Sequence, residues 1–267
     1  MRHTFSVIVL FGLLGAGCGS SGHSLPRVIA CEGLELVLVP QGNRMIGTDN
    51  SRAHPRQDWP QTWFKLDYIL YMGTTEVTAE QYRRILGDPG LLPSYEPSQP
   101  VYEKYSRAVR FCAEFAKKLE SATGRRWEVR LPNEAEWEYA ACWGRPPTED
   151  WWPVADVHSD YDLMAHEWFC ENSGGKTHPV RQKKATSLGL YDMLANAPEW
   201  CHGWFVPNES VATMLARLKQ TGFVGEMRPW RGGSASSSAD ECRPSRRAGW
   251  YPESAAYAGF RIVALPK

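Results

Sequence analysis

The stretch RGGSASSSADECRPSRRAGW, Arg231 to Trp250, and the closing GFRIV, Gly259 to Val263, decide how this chain is read. The stretch holds one thiol, Cys242, followed directly by Arg243, and a serine row, Ser236 to Ser238. Two adjacent glycines, Gly232 and Gly233, precede the serines. Trp230 to Ser234 and Gly259 to Leu265 read as the last strands of a sheet. Arg243, Arg246 and Arg247 could hold an anion or pair with acids, and pairing is the commoner fate of a surface arginine.

Upstream, Glu35 to Pro40 is an apolar run ended by Pro40 and Gly42, and it reads as a strand. Trp63 to Tyr71 reads as a second strand. Thr78-Ala79-Glu80-Gln81 has the form of a capping box and opens a helix that ends near Gly87. Leu91 to Tyr105 reads as loop, with Ser106 as the cap of the next helix. There Ala108, Phe111, Cys112, Phe115 and Leu119 recur at helical spacing, and Gly124 is the stop. Asn133 and Glu136 form a second cap pair, leading a short helix with Trp137, Ala140 and Ala141 as its buried stripe. From Trp143 to Leu188 little regular pattern is visible, and a long irregular stretch inside a compact domain is often functional or held by metal. Ser210 to Gln220 reads as an amphipathic helix with Val211, Met214, Leu215 and Leu218 on one face; it could be a docking helix or loop decoration. The elements indicate a single α+β domain with much irregular structure.

Thirty basic and thirty acidic residues give a formal net charge of zero, so charge offers no case for nucleic acid. Residues 1–17 read as a signal peptide: Arg2 and His3, the apolar run Val7 to Leu14, then Gly15, Ala16 and Gly17. Cys18 follows the small residues and is the expected lipidation site, with residues 18–30 as a lipidated tether and 31–267 as the folded domain. The expected location is the bacterial cell envelope, lipid-anchored, facing the periplasm or the surface. Export exposes the remaining six cysteines to oxidising conditions, under which disulfides form.

Seven separated segments carry a resemblance. They are TTEVTAEQY (Thr74–Tyr82), RLPNEAEWEYAA (Arg130–Ala141), NSGGKTHPV (Asn172–Val180), GLYDMLANAPEWC (Gly189–Cys201), RGGS (Arg231–Ser234), CR at Cys242 and GFR (Gly259–Arg261). In this order, from about residue 35 to the C-terminus, they resemble the formylglycine-generating enzymes, or sulfatase-modifying factors. The resemblance implies a modified C-type-lectin-like fold. It also implies an oxidation of protein cysteine with copper held by two thiols.

Cys242 matches the second of those thiols, and the first falls on Ser237. Cu(I) is soft and favours thiolates, so a hydroxyl there is a poor ligand and copper is not expected. Cys242 could instead form a disulfide with Cys201 or sit as a buried thiol. Within the family's calcium loop Asn196 and Glu199 are the expected ligands, with Asn172 a candidate for a second site. The HxxxHxE iron motif of other relatives is missing, and His54, His158, His166, His178 and His202 are scattered. Trp143, Trp151, Trp152, Trp204 and Trp250 are candidates to line a groove, though tryptophan mostly packs. The expectation is an exported lipoprotein whose domain binds an envelope protein, peptide or glycan and is catalytically incomplete. The alternative is a copper- or iron-dependent oxidoreductase acting on protein cysteine or a related sulfur substrate.

Overall fold

A computed structural model describes residues 25–48, 58–87, 96–143, 160–207, 209–220, 222, 224–253 and 258–267. Cys18, the signal peptide, His54, Trp151, Trp152 and His158 lie outside the described residues.

The principal sheet has five antiparallel strands in the order β1-β2-β5-β10-β6. They are β1 (Val28–Cys31), β2 (Leu34–Val39), β5 (Leu70–Gly73), β6 (Trp127–Arg130) and β10 (Val263–Pro266). The apolar run of β2 follows from burial on both faces. Leu34 and Leu36 enter one core, and Val37 and Val39 enter the other. β5 divides likewise, with Tyr71 in the first core and Leu70 and Met72 in the second. Alternation along a strand sends successive side chains to opposite faces, so a sheet with a core on each side has no polar face to show.

Two helices cover the first face. α1 (Ala79–Leu86) carries the expected capping box: Gln81 N–H donates to Thr78 Oγ1 at 3.3 Å, and Thr78 N–H to Gln81 Oε1 at 3.0 Å. α2 (Tyr105–Thr123) buries the expected stripe and stops at Gly124, whose φ of 66° is left-handed. Its cap is Lys104 rather than Ser106; the Ser106 hydroxyl instead bonds Glu253 at 3.0 Å. The second face receives α3 (Glu134–Ala141), capped by Asn133 as the sequence indicates. All eight residues of α3 are buried, including three glutamates.

The smaller elements complete the frame. β3 (Gly42–Ile46) pairs with β4 (Thr62–Leu66) as a hairpin, and β7 (Glu199–Trp200), β8 (Arg228–Arg231) and β9 (Ala248–Trp250) form a three-stranded sheet. The single strand expected over Trp63 to Tyr71 is thus two strands in different sheets, broken at Asp67 to Ile69. The domain also starts earlier than residue 31: Val28 pairs with Val37, so the last part of the expected tether is sheet. Within the irregular stretch lie α4 (Asp160–His166) and α5 (Cys170–Ser173). α6 (Val211–Leu218), capped by Ser210, turns Val211, Met214, Leu215 and Leu218 onto the second core. Its apolar face is therefore already covered by the domain itself.

Candidate functional site

A lattice of buried acids and arginines positions the site. Each glutamate of α3 meets an arginine: Glu136 meets Arg130 of its own motif, while Glu134 meets Arg247 and Glu138 meets Arg231 from distant segments. Such groups are tolerated in a core only when paired and hydrogen-bonded. The same rule explains the closing GFR. Arg261 is wholly buried. Its Nε and Nη2 donate to Glu199 at 2.7–2.8 Å, and it also reaches the carbonyls of Gly73, Tyr191 and Asp192. Trp137 Nε1 also donates to Glu199 Oε2 at 2.8 Å. One carboxylate thus ties α3, β7 and the segment leading into the last strand together.

The pairing of Arg231 with Glu138 aims the chain that follows β8. At Gly233 a side chain has no room: a Cβ there would lie 2.9 Å from Cys242 Sγ, 3.0 Å from Leu194 O and 3.1 Å from Ser237 Cβ. The fold therefore brings Ser237 and Cys242 to one place, as the resemblance implies. The Ser237 hydroxyl sits among Ser234 N at 3.1 Å and Ser234 Oγ at 3.2 Å. Cys242 is 0 % exposed, and burial pushes its thiol well above the ordinary range, with Glu167 adding to the shift. A thiol so placed is a poor source of thiolate.

Cys201 and Cys242 are both free thiols, so the disulfide considered from sequence is not formed in the structure. They share the second core, but the nearest acceptor for Cys201 is Glu199 O at 3.8 Å. A second cysteine beside the serine row is Cys170. Its N–H donates to Ser237 O at 3.0 Å, and its side chain is exposed. A hydrogen bond to Glu171 at 2.9 Å raises its pKa. No spacing rule links residues 170 and 237, so sequence reasoning passed over Cys170.

The calcium ligands can be tested for fit. Asn196 Oδ1 accepts from His178 N at 2.9 Å, while its Nδ2 donates to Glu76 and to His178 O. Glu199 is taken by Arg261 and Trp137 as above. Asn172 caps α5: its Oδ1 accepts from Phe169 N, and its Nδ2 donates to Met164 O and Glu167 O. A cation at Asn196 and Glu199 would have to displace a guanidinium, so these side chains as they stand do not fit calcium. Two buried carboxylate oxygens without a hydrogen-bond partner belong to Glu76 and Asp192. Burial, then Asp192, pushes Glu76 well up, and burial pushes Asp192 up to about 6. Glu167, wholly buried, is pushed up to about 8 by burial, although it accepts from Leu194 N and Ala195 N at 3.0 Å. Glu76 and Asp192 sit inside the quoted motifs TTEVT and GLYDM, so their place, though not their environment, was in view.

Arg243, Arg246 and Arg247 all pair with acids: Asp58, Glu241 and Glu134. Among the named tryptophans, Trp143 lies against Arg44, Trp204 against Arg228, and Trp250 on β9 beside the first core.

The serine row opens onto a surface cleft of about 290 Å³. Its walls include Tyr102, Thr177, Trp230, Ser234 and Ser236, with Pro198 between. The lining is uncharged: hydroxyls and one indole beside backbone. Trp230 was not among the groove candidates; its place in RPWRGGS, at the mouth of the serine row, was the available signal.

The fold and this loop define the class first: a single modified C-type-lectin-like domain whose Gly-Gly-Ser loop abuts the buried Cys242. The chain belongs to the sulfatase-modifying factor family, since the model of the sulfatase-modifying factor enzyme 1-like domain matches residues 26–265. It is 27% identical over 201 residues to the chaperone protein LppX of Paenibacillus barcinonensis, covering 59% of this chain and 70% of that protein. It is 31% identical over 160 residues to a formylglycine-generating enzyme of Mycobacterium tuberculosis, covering 53% of each, so it spans about half of that enzyme. Among solved structures, Treponema denticola variable protein 1 superposes with a TM-score of 0.68 at 23% identity, over 87% of this chain and 95% of that one.

Proposed function

We propose that this domain is a binding module rather than an oxidase, and that its cleft takes an extended segment of a polypeptide. The observation that carries the reading is the pair at the serine row: a hydroxyl at Ser237 beside a thiol, Cys242, that is buried and hard to ionise. Monovalent copper gains little from such a pair. The uncharged lining of hydroxyls and backbone suits main-chain amides, which offer donors and acceptors in alternation. Membership of a family that contains enzymes acting on cysteine within a polypeptide supports a peptide over a glycan. Lipid on Cys18, after the signal peptide, would hold the domain in the cell envelope. Among the described residues no helix is long and apolar enough to cross a membrane.

The test is copper loading of the purified chain followed by incubation with a cysteine-containing peptide under oxygen. The expected result is neither stoichiometric Cu(I) retention nor oxygen consumption. Turnover abolished by Cys242→Ala refutes the reading. One observation favours a second reading, an oxidoreductase in which Cys170 supplies the missing sulfur: its backbone bond to Ser237. In that case Cys170→Ser abolishes turnover as well. Incorporation of labelled palmitate, lost in Cys18→Ala, tests the anchor.

A further inference from the structure

The arginines of the buried lattice each sit on a carboxylate, but Arg228 does not. Its guanidinium is clamped between two rings, with Cζ 3.3 Å from the centroid of Trp204 and 4.3 Å from that of Tyr105. Nη1 donates to Gly203 O at 2.8 Å. Nε is buried without a partner, and Nη2 bonds to no described residue. The acid whose charge is felt here, Glu253, accepts from Ser106 instead. Holding a half-buried cation with no carboxylate in contact costs free energy, and burial accordingly lowers the pKa of Arg228.

The clamp and the cleft share elements. Arg228 and Trp230 are alternate, partly buried residues of β8, so they share one face of the strand with Cα atoms about 7 Å apart. Tyr102 of the cleft lies three residues before Tyr105 of the clamp, in the segment that leads into α2, and Pro198 lies two residues before Trp200, which meets the Tyr105 ring edge-on at 5.9 Å. The clamp therefore adjoins the cleft through β8, where Arg228 stands two residues before the cleft residue Trp230.

We infer that Arg228, held between Tyr105 and Trp204, is a binding subsite for a carboxylate carried by the peptide that occupies the cleft. The inference rests on the peptide-binding reading above and adds the ligand's charge. A single guanidinium with one nitrogen already on Gly203 suits a monoanionic carboxylate; a phosphate dianion usually gathers several donors. The carboxylate comes either from an aspartate or glutamate side chain or from a free C-terminus.

The experiment uses the full chain, purified in detergent, and a bead library of random hexapeptides in two arms, one with free carboxyl termini and one amidated. The wild type is expected to retain peptides bearing a carboxylate. Enrichment of Asp or Glu in the amidated arm assigns the side chain, and enrichment confined to the free arm assigns the terminus. Replacing that carboxylate by its amide in a selected peptide is expected to weaken Kd about tenfold or more, the usual worth of one charge-assisted hydrogen bond. Arg228→Gln, which can still donate to Gly203 O, is expected to remove the same factor, and Arg228→Lys to remove part of it. The peptide-amide comparison on wild type needs no variant, so it stands even if a variant misfolds. Retained peptides without any acidic preference overturn the subsite while leaving the cleft reading in place. Retention of no peptide, or of uronic-acid oligosaccharides instead, overturns both.

Discussion

Replacing Arg261 by methionine removes the only described cation that touches Glu199 and leaves that carboxylate in a closed core. Removing one partner of a buried ion pair costs about 3–5 kcal/mol, because the remaining charge is uncompensated. The carbonyls of Gly73 and Tyr191 lose their donor too, at 3.0 and 2.9 Å, adding about 1 kcal/mol or more. A total of about 4–6 kcal/mol is a large share of the roughly 5–15 kcal/mol that holds an ordinary domain folded. The double variant Glu199→Gln, Arg261→Met keeps an acceptor for Trp137 Nε1 but carries no buried charge. It is expected to recover about 1–3 kcal/mol relative to the Arg261→Met variant, a coupling typical of contacting groups. Urea denaturation followed by tryptophan fluorescence, with the midpoint read at unchanged slope, measures both. A loss below about 1.5 kcal/mol for the single variant, or strictly additive effects in the double, would falsify the view that Arg261 is present to neutralise Glu199.

Further outcomes are expected. Gly233→Ala forces a methyl against Cys242 Sγ, Ser237 Cβ and Leu194 O, and overpacking of this kind costs about 1–3 kcal/mol; an unchanged thermal midpoint would contradict the crowding. Asp192 is pushed up to about 6 in the folded protein, so the folded state holds its proton more tightly than the unfolded chain. Its contribution is full below the unfolded pKa near 4 and is lost as pH rises through about 6, an effect of roughly 2–3 kcal/mol. Asp192→Asn should flatten stability between pH 4 and 6, and an unaltered profile would remove Asp192 as the source. Of the six described cysteines only Cys170 is exposed, so iodoacetamide on the native protein should label it first, faster as pH rises; early labelling of Cys242, seen by peptide mass spectrometry, would contradict its burial.

Local chemistry carried much of this fold. Thr78 with Gln81 and Asn133 with Glu136 are cap pairs complete within four residues, so the sequence alone places α1 and α3. The apolar stripe of α2 and its glycine stop are likewise short-range. The ordered motifs, through their resemblance to a known family, gave the family and the pairing of Ser237 with Cys242. Ser106 failed as a cap because Glu253 claims its hydroxyl. The strand over Trp63 to Tyr71 divided because its two ends serve different sheets.

The buried state of Glu134, Glu136 and Glu138 could not be read locally, since a helix rich in glutamate ordinarily faces water. Three arginines up to 113 residues away decide it, by supplying the charge that makes burial tolerable. The same holds for Cys170 beside Ser237, for the orphaned oxygens of Glu76 and Asp192, and for Arg228 between its rings. Hydrogen bonds to near neighbours are written in adjacent residues. Charge compensation and desolvation depend on what the closed chain brings within a few ångströms, and only the tertiary structure determines that.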